Sequence, residues 1–302
     1  MPDDRDTILA FIERMGFNPR DPITWDGLQM LAMTAWDGCR LVGAIPLEPR
    51  VLCVGPGRAI TSIHETVVAV DPAYRNGGLG SAMQRSIAER PPAGARIVTV
   101  FREEPASPAY RWYLKNGFSK AIEINAWFCE EPNTIAAGAL PQTWGVDDPS
   151  LPWDQVDRVW RRTSAGRVDR ATRGLQAWLA VHPYRRRYSF HILGDSPNGF
   201  ALLGAGAMHS ATIRADVLEL MPTEINPTAV ESLLRAIASR AAHEGWHPVR
   251  LPLAGSDSII PVAQSLHFQP GRSFDLLIRP LGDFAISNEK TAAWRYSGVD
   301  YI

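Results

Sequence analysis

The stretch VVAVDPAYRNGGLGSAMQRSIAER (residues 67–90) decides how this chain is interpreted. A β-branched run ends at Pro72, and the loop Arg75-Asn76-Gly77-Gly78-Leu79-Gly80 leads directly into a segment with helical periodicity. Glycines let the backbone approach a ligand closely, so that several N–H groups point at one place, and a helix N-terminus adds partial positive charge. Because Arg75 adds a full charge, the stretch predicts a site for a phosphate or pyrophosphate group.

Two other nucleotide-binding motifs do not fit this loop. The dinucleotide pattern G-x-G-x-x-G is not met, and no Gly-Lys-Ser/Thr is present for a P-loop. Taken by itself, the loop leaves one alternative open, an ordinary turn before a helix.

The loop and its flanks resemble the cofactor motif of the GCN5-related N-acetyltransferase (GNAT) family. That motif is Arg/Gln-x-x-Gly-x-Gly/Ala after a strand ending in Val-x-Pro, and here it reads Val70-Asp71-Pro72 and then Arg75, Gly78 and Gly80. A second motif of the family is a tyrosine four residues before Gly-Phe. The segment Tyr113-Leu114-Lys115-Asn116-Gly117-Phe118 resembles it. Both motifs together make the resemblance fairly specific.

Over residues 40–128 the resemblance implies a domain that uses acetyl-CoA as co-substrate. The backbone of Val68, Ala69 and Val70 is then expected to bind the pantetheine arm as a neighbouring β-strand would. The loop amides, from Asn76 through Gly77, Gly78, Leu79 and Gly80 to Ser81, are expected to hold the pyrophosphate. The sequence departs from the family at Ala106, where an asparagine is common, and shows no first strand before residue 24.

Acyl transfer to an amine needs a base for the amine and an acid for the departing thiolate. His64 occupies a position that resembles the one holding a catalytic Glu or His in several branches of the family, and an imidazole is well suited to this task. Glu65, which alternation places on the other strand face, and a water chain are the alternatives. Tyr113 is expected to protonate the sulfur, with Tyr110 one helical turn earlier as a competitor. A backbone N–H near Val68 is expected to stabilise the oxyanion.

Periodicity predicts a mixed α/β chain whose element order occurs twice. In the first half it predicts helices at 7–15, 24–32, 78–90 and 107–118 and strands that include 62–70, 97–101 and 121–129, with a hairpin turn at Asp37-Gly38. In the second half it predicts helices at 153–163, 169–181, 227–244 and 259–267 and strands at 187–193, 199–208, 211–220, 249–253 and 273–279. We therefore expect two tandem GNAT-like domains, each a mixed, mostly antiparallel sheet flanked by helices: an N-terminal domain at 1–133, a linker at 134–150 and a degenerate domain at 151–302.

The second half of the chain has no counterpart of the glycine-rich loop at residues 75–80. Its loop before the long helix, MPTEINP (221–227), contains no glycine, so no cofactor is expected there. Residues 151–190 contain nine arginines and three aspartates, which fits either an anionic acceptor or two solvated helices. The tail TAAWRYSGVDYI (291–302) leaves open packing on a second copy, as in a homodimer, or fraying.

Composition narrows the class of protein. A formal net charge of −1 argues against bulk nucleic-acid binding, and three cysteines without Cys-x-x-Cys spacing argue against a metal site. No apolar run reaches the ~20 residues of a membrane span and the start does not resemble a signal peptide, so we expect a cytoplasmic protein without a membrane partner.

The predicted activity is acetyl transfer from acetyl-CoA to a primary amine of a small molecule, such as an amino sugar, an amino acid or an antibiotic-like amine. Acylation of a protein or aminoacyl-RNA amine and a non-catalytic acyl-CoA sensor remain as alternatives.

Overall fold

The computed structural model describes residues 5–55, 58–103, 107–135, 140–162, 174–182, 185–195, 198–207, 212–224, 226–255 and 257–284. The chain forms two compact units. Unit 1 comprises Met1–Ala121 and Asp275–Thr291, and unit 2 comprises Ile122–Phe274 and Ala292–Ile302. This grouping differs from the predicted ranges 1–133 and 151–302, because the chain returns to unit 1 at Asp275. Ala106, the tail 291–302 and residues 163–173 and 183–184 of the arginine-rich stretch lie outside the described residues.

Eight α-helices and twelve strands are assigned in the described residues. In chain order they are α1 (Arg5–Arg14), α2 (Pro22–Gly27), β1 (Leu31–Asp37), β2 (Arg40–Gly55), β3 (Arg58–Glu65), β4 (Ala69–Val70), α3 (Leu79–Glu89), β5 (Ile97–Glu103), α4 (Pro108–Lys115), β6 (Ser119–Cys129), β7 (Gln142–Gly145), α5 (Trp153–Arg162), α6 (Gly174–Ala180), β8 (Ser189–Asp195), β9 (Gly199–Gly206), β10 (Arg214–Pro222), α7 (Pro227–Glu244), β11 (Val249–Ala254), α8 (Ile260–Ser265) and β12 (Gln269–Pro280).

Each unit contains a sheet with the predicted mixed, mostly antiparallel pairing. The strand order is β1-β2-β3-β5-β12 in unit 1 and β6-β11-β10-β9-β8-β7 in unit 2. In each unit a helix connects one parallel pair, since α3 joins β3 to β5 and α7 joins β10 to β11. A short helix and a further strand follow in both cases, α4 and β6 or α8 and β12. The predicted α/β class is confirmed, and so is the recurrence of its element order.

Three sequence predictions differ from the structure. The helix predicted over 24–32 ends at Gly27, and Leu31 already belongs to β1. The single strand predicted over 62–70 stops at Glu65 and resumes only at Ala69. The predicted linker over 134–150 contains a short strand, β7, which pairs with β8. In each of the first two regions only three residues separate the two elements, so periodicity alone does not divide them.

The core of unit 1 explains why its elements form where they do. Met83 and Ile87 lie one turn apart on α3 and are both buried against the sheet. Tyr113 of α4 packs edge to face on Phe118, with ring centroids 5.0 Å apart. Leu277 from the C-terminal strand belongs to the same apolar cluster and is 0% exposed.

We expect Leu277→Ala to lower the free energy of unfolding by about 2–5 kcal/mol, because truncation of a fully buried leucine leaves a cavity. Leu114→Ala is the matched control, since Leu114 is 45% exposed and its truncation is expected to change stability by less than about 0.5 kcal/mol. Urea unfolding measures both. Equal losses would contradict the place of Leu277 in this core.

Candidate functional site

The interruption between β3 and β4 is a β-bulge. Leu47 of β2 lies opposite Glu65, and Ala44 of β2 lies opposite Ala69. Two residues of β2 therefore face three residues on the other side, 66–68, which is one more than regular pairing allows. A one-residue insertion inverts the alternation of side chains. Val70 therefore lies on the face opposite to that of His64, whereas unbroken alternation would place the two on one face.

The sheet also opens at this point. Parallel pairing of β3 with β5 ends at His64 opposite Thr99, although β5 continues to Glu103. Beyond this pair the chain turns into β4, which pairs with β2. A gap is thus left beside residues 66–70, on the side that faces the end of β5. An extended ligand fits beside a strand edge of this kind because backbone groups are available there.

The loop after β4 has the geometry of an anion cradle. Asn76 and Gly78 adopt positive φ values of 65° and 82°, a conformation that turns successive N–H groups to one side. No side chain caps the N-terminus of α3, so its first amides are available to a ligand. The Arg75 guanidinium donates to the Val70 carbonyl at 3.0 Å, which ties the loop to β4.

A cavity of about 660 Å³ joins the bulge, the cradle and the start of α4. Of the predicted cofactor residues, Ala69 and Gly77 do not line it, and the other eight do. Tyr113 lines it and His64 does not. The lining residues are Phe17, Asn18, Thr66, Val67, Val68, Val70, Tyr74, Arg75, Asn76, Gly78, Leu79, Gly80, Ser81, Arg102, Ala109, Trp112 and Tyr113.

Tyr113 is a buried residue of the cavity lining. Its side chain is 1% exposed, and its hydroxyl accepts a hydrogen bond from an Arg102 guanidinium N–H at 2.5 Å. The same guanidinium lies 4.4 Å from the centre of the Tyr113 ring. Burial, followed by the negative charge of Glu65, raises the pKa of the phenol above its ordinary value. Tyr113 therefore keeps its proton at neutral pH, as a general acid must.

Glu65 lies behind Tyr113, outside the cavity lining. It is 1% exposed, and the Gln84 side-chain amide donates to both of its carboxylate oxygens at 2.7 Å. Burial raises the pKa of Glu65 to about 7, although the hydrogen bond from Gln84 and the interaction with Tyr113 lower it. Both protonation states are therefore populated near neutral pH.

The His64 side chain lies outside the cavity lining, beside two residues of β5. Its Nδ1 lies 2.9 Å from the Thr99 hydroxyl, and its ring packs on Phe101 with centroids 5.2 Å apart. Burial, and then the charge of Arg50, holds the pKa of His64 well below its ordinary value. The imidazole is therefore neutral at physiological pH, but it is hydrogen-bonded outside the cavity lining.

The competing tyrosine is bound elsewhere. The Tyr110 hydroxyl donates to the buried Asp275 carboxylate at 2.7 Å, and Lys120 pairs with the same carboxylate at 2.9 Å. Tyr110 does not line the cavity. Of the two tyrosines on α4, the structure brings only Tyr113 to the loop and the bulge.

Residues 34–120 match the family model described as "Acetyltransferase (GNAT) domain". The chain contains a GNAT domain. Residues 34–120 include the bulge, the cradle, Tyr113 and Glu65, so the match confirms the family resemblance of the two motifs. A comparison with curated proteins finds no significant match.

Solved structures extend the fold likeness beyond the GNAT domain. The GCN5-related N-acetyltransferase from Anabaena variabilis ATCC 29413 is 14% identical with a TM-score of 0.67, covering 93% of this chain and 71% of that one. The one from Kribbella flavida is 15% identical with a TM-score of 0.60, covering 91% and 69%. A tandem GNAT protein from the clavulanic acid biosynthesis pathway is 15% identical with a TM-score of 0.56, covering 94% and 97%. The likeness shows the fold, and it confirms the predicted tandem GNAT architecture.

The second unit has a different helix start. The Asn226 side chain accepts from the Ala229 amide at 2.8 Å and so caps α7. The corresponding α3 in the GNAT domain has no such cap. Among the described residues there is no cluster of three or more metal-binding side chains, and no helix that is long and apolar enough to cross a membrane.

Sequence reasoning missed three polar partners of the site, Gln84, Arg102 and Arg279. The signal for Gln84 was present, since it interrupts the apolar stripe formed by Met83 and Ile87 on α3. Arg279 donates to the Gln84 carbonyl at 3.1 Å from a strand nearly 200 residues away. A contact of this kind leaves no local sequence signal.

The raised pKa of Glu65 predicts a pH-dependent stability. Because the pKa of Glu65 is higher in the folded state than in the unfolded state, the folded protein loses stability as pH rises from one pKa value to the other. For a shift from 4.5 to about 7, the loss in the free energy of unfolding amounts to about 3 kcal/mol. Glu65→Gln does not titrate, so we expect the free energy of unfolding of wild type, minus that of the variant, to fall by about this amount over the same pH range in urea unfolding. A difference that stays constant with pH would contradict the raised pKa.

Proposed function

We propose that this protein transfers an acetyl group from acetyl-CoA to a primary amine of a small molecule. The observation that carries the proposal is the cavity that joins the bulge, the uncapped α3 N-terminus and the Tyr113 hydroxyl. The phosphates of the cofactor would lie on the amides from Asn76 to Ser81. Its pantetheine arm would run along residues 68–70, and the thioester would reach Tyr113.

The chemistry follows from these positions. A neutral amine attacks the thioester carbonyl carbon, and the carbonyl oxygen gains negative charge that a backbone N–H near Val68 would stabilise. The carbon–sulfur bond then breaks, the electron pair goes to sulfur, and the Tyr113 hydroxyl gives its proton to the sulfur. The amine loses one proton to a base. Because neither His64 nor Glu65 lines the cavity, proton removal through water is favoured over direct contact with either.

One observation favours a second function. Among the described residues that line the cavity there is no histidine, aspartate, glutamate or lysine to take a proton from the amine. This lining fits a non-catalytic acyl-CoA sensor. The sensor predicts cofactor binding without turnover of any amine. Tyr113 at the expected thioester position favours the enzyme, and turnover with a panel of amino sugars, amino acids and peptides distinguishes the two.

We expect Gly78→Ala to weaken acetyl-CoA binding by about tenfold or more, because alanine disfavours the positive φ that orients the loop amides. Gly38→Ala is the matched control. Both glycines have positive φ and open space around the position of a Cβ, so both variants lose about 1–2 kcal/mol of stability from backbone strain alone. Calorimetry measures the affinities. Equal affinity in the two variants would contradict the cradle as the phosphate site.

We expect Tyr113→Phe to lower kcat by about 10²–10⁴-fold, the range typical of a lost general acid, with little change in KM. Thiol release from acetyl-CoA in the presence of the accepted amine measures the rate. Tyr110→Phe loses the same hydroxyl group from the same helix, away from the cavity, and should retain most of the activity. If both variants behave alike, Tyr113 is not the acid.

A further inference from the structure

Part of the cavity lining lies outside the segments that the cofactor is expected to occupy. In the proposed function residues 68–81 hold the pantetheine arm and the phosphates, and α4 supplies Tyr113 beside the thioester. Five further lining residues come from the segment between α1 and α2, from the bulge and from β5: Phe17, Asn18, Thr66, Val67 and Arg102. Because the amine must reach the thioester from a place that the cofactor leaves free, these five residues are the candidates for the acceptor site.

Arg102 is the only charged side chain of these five, and it lies next to the proposed acid. Its guanidinium donates to the Tyr113 hydroxyl at 2.5 Å and lies 4.4 Å from the centre of the Tyr113 ring. A group bound to this guanidinium would therefore lie beside the thioester.

The Arg102 guanidinium has hydrogen-bond donors to spare. A guanidinium carries five N–H groups, and among the described residues the Tyr113 hydroxyl is the one acceptor that Arg102 has. Its Nε is buried and has no acceptor in the same part of the chain. A buried donor without an acceptor is unfavourable. The planar fork of an arginine matches the two oxygens of a carboxylate, so a carboxylate is the ligand that would use these donors best.

No carboxylate of the described residues forms an ion pair with Arg102. Glu65 interacts with it electrostatically, but both Glu65 oxygens accept from the Gln84 amide and lie outside the lining. Arg75, the other charged residue of the described lining, donates to the Val70 carbonyl beside the expected phosphate site. The lining thus attracts an anionic group and repels an acceptor whose only charge is an ammonium.

We propose that the acceptor amine also carries a carboxylate, as an amino acid does, and that Arg102 binds this carboxylate beside the thioester. This inference rests on the proposed acyl transfer and narrows its acceptor class. An amino acid fits the described lining, whereas an amine without an anionic group leaves Arg102 unneutralised.

The transfer then gives an N-acetyl amino acid and free CoA. The neutral amine bonds to the acetyl carbon, and the carbon–sulfur bond breaks with its electron pair going to sulfur. The sulfur takes the Tyr113 proton, and the proton that the nitrogen loses restores the phenol through water. The carboxylate stays on Arg102 throughout and is unchanged.

The first arm of the test uses the wild-type protein alone. Thiol release from acetyl-CoA is measured with the common amino acids and with the corresponding amino acid amides, in which a neutral group of similar size replaces the carboxylate. A carboxylate raises the pKa of a neighbouring amine, so the amide has more neutral amine and would react faster by its chemistry alone. We expect kcat/KM for the accepted amino acid to exceed that for its amide by about 10- to 100-fold. Amides accepted as well as amino acids would overturn the proposal and leave acyl transfer in place.

The second arm compares Arg102→Met with Arg111→Met. Loss of the Tyr113 contact in Arg102→Met lowers kcat for both acceptors, so the readout is the ratio of kcat/KM between the amino acid and its amide. We expect this preference to be lost in Arg102→Met. It should persist in Arg111→Met, which removes the same charge from an exposed position of α4 outside the cavity lining. A preference that survives Arg102→Met would overturn the proposal.

A binding measurement separates this inference from the proposed function. Calorimetry of the CoA-loaded protein with the same amino acids needs no turnover. We expect binding that Arg102→Met weakens by about 10- to 100-fold and Arg111→Met leaves unchanged. Such binding without thiol release would contradict acyl transfer and support the carboxylate site. Absence of binding for every amino acid, or equal binding in the two variants, would overturn the carboxylate site.

Discussion

One extra residue in a strand is the constraint on which the site depends. Because 66–68 face only two residues of β2, the edge of the strand turns away from β5 and its backbone becomes available beside the cavity. The same insertion inverts the alternation of side chains, so Val70 lies on the face of Glu65 and His64 lies on the other. The bulge thus opens the expected cofactor groove and determines which side chains share its face.

Close packing of α3 fixes the cradle relative to this groove. A Cβ at Gly80 would lie 3.2 Å from the Trp112 ring, and one at Gly43 would lie 2.8 Å from the Met83 sulfur. Trp112 in turn donates to the Ser81 hydroxyl at 3.2 Å. Small residues at these positions let α3 approach both β2 and α4, so the first amides of α3 and the Tyr113 hydroxyl belong to one cavity.

Much of this arrangement could be predicted from local sequence, and the rest depends on contacts that have no local signal. The motifs around Arg75 and Tyr113 predicted the loop, the helix after it and the tyrosine that lines the cavity, since each depends on residues within one turn of chain. The bulge was not predicted, because the β-branched run from His64 to Val70 has the composition of an unbroken strand. The return of the chain to unit 1 at Asp275 was not predicted either, since strand pairing over such a separation is determined by tertiary packing.

If the bulge and the α3 N-terminus together bind acetyl-CoA, the cofactor must protect the backbone of both. Amide hydrogen exchange of the wild-type protein with and without acetyl-CoA, read by mass spectrometry, measures this protection. We expect the cofactor to slow exchange in peptides covering 66–70 and 76–82, and to leave exchange unchanged in 221–229, before and within the Asn226-capped helix. Slowed exchange at 221–229, or unchanged exchange at 66–70 and 76–82, would show that acetyl-CoA binds elsewhere.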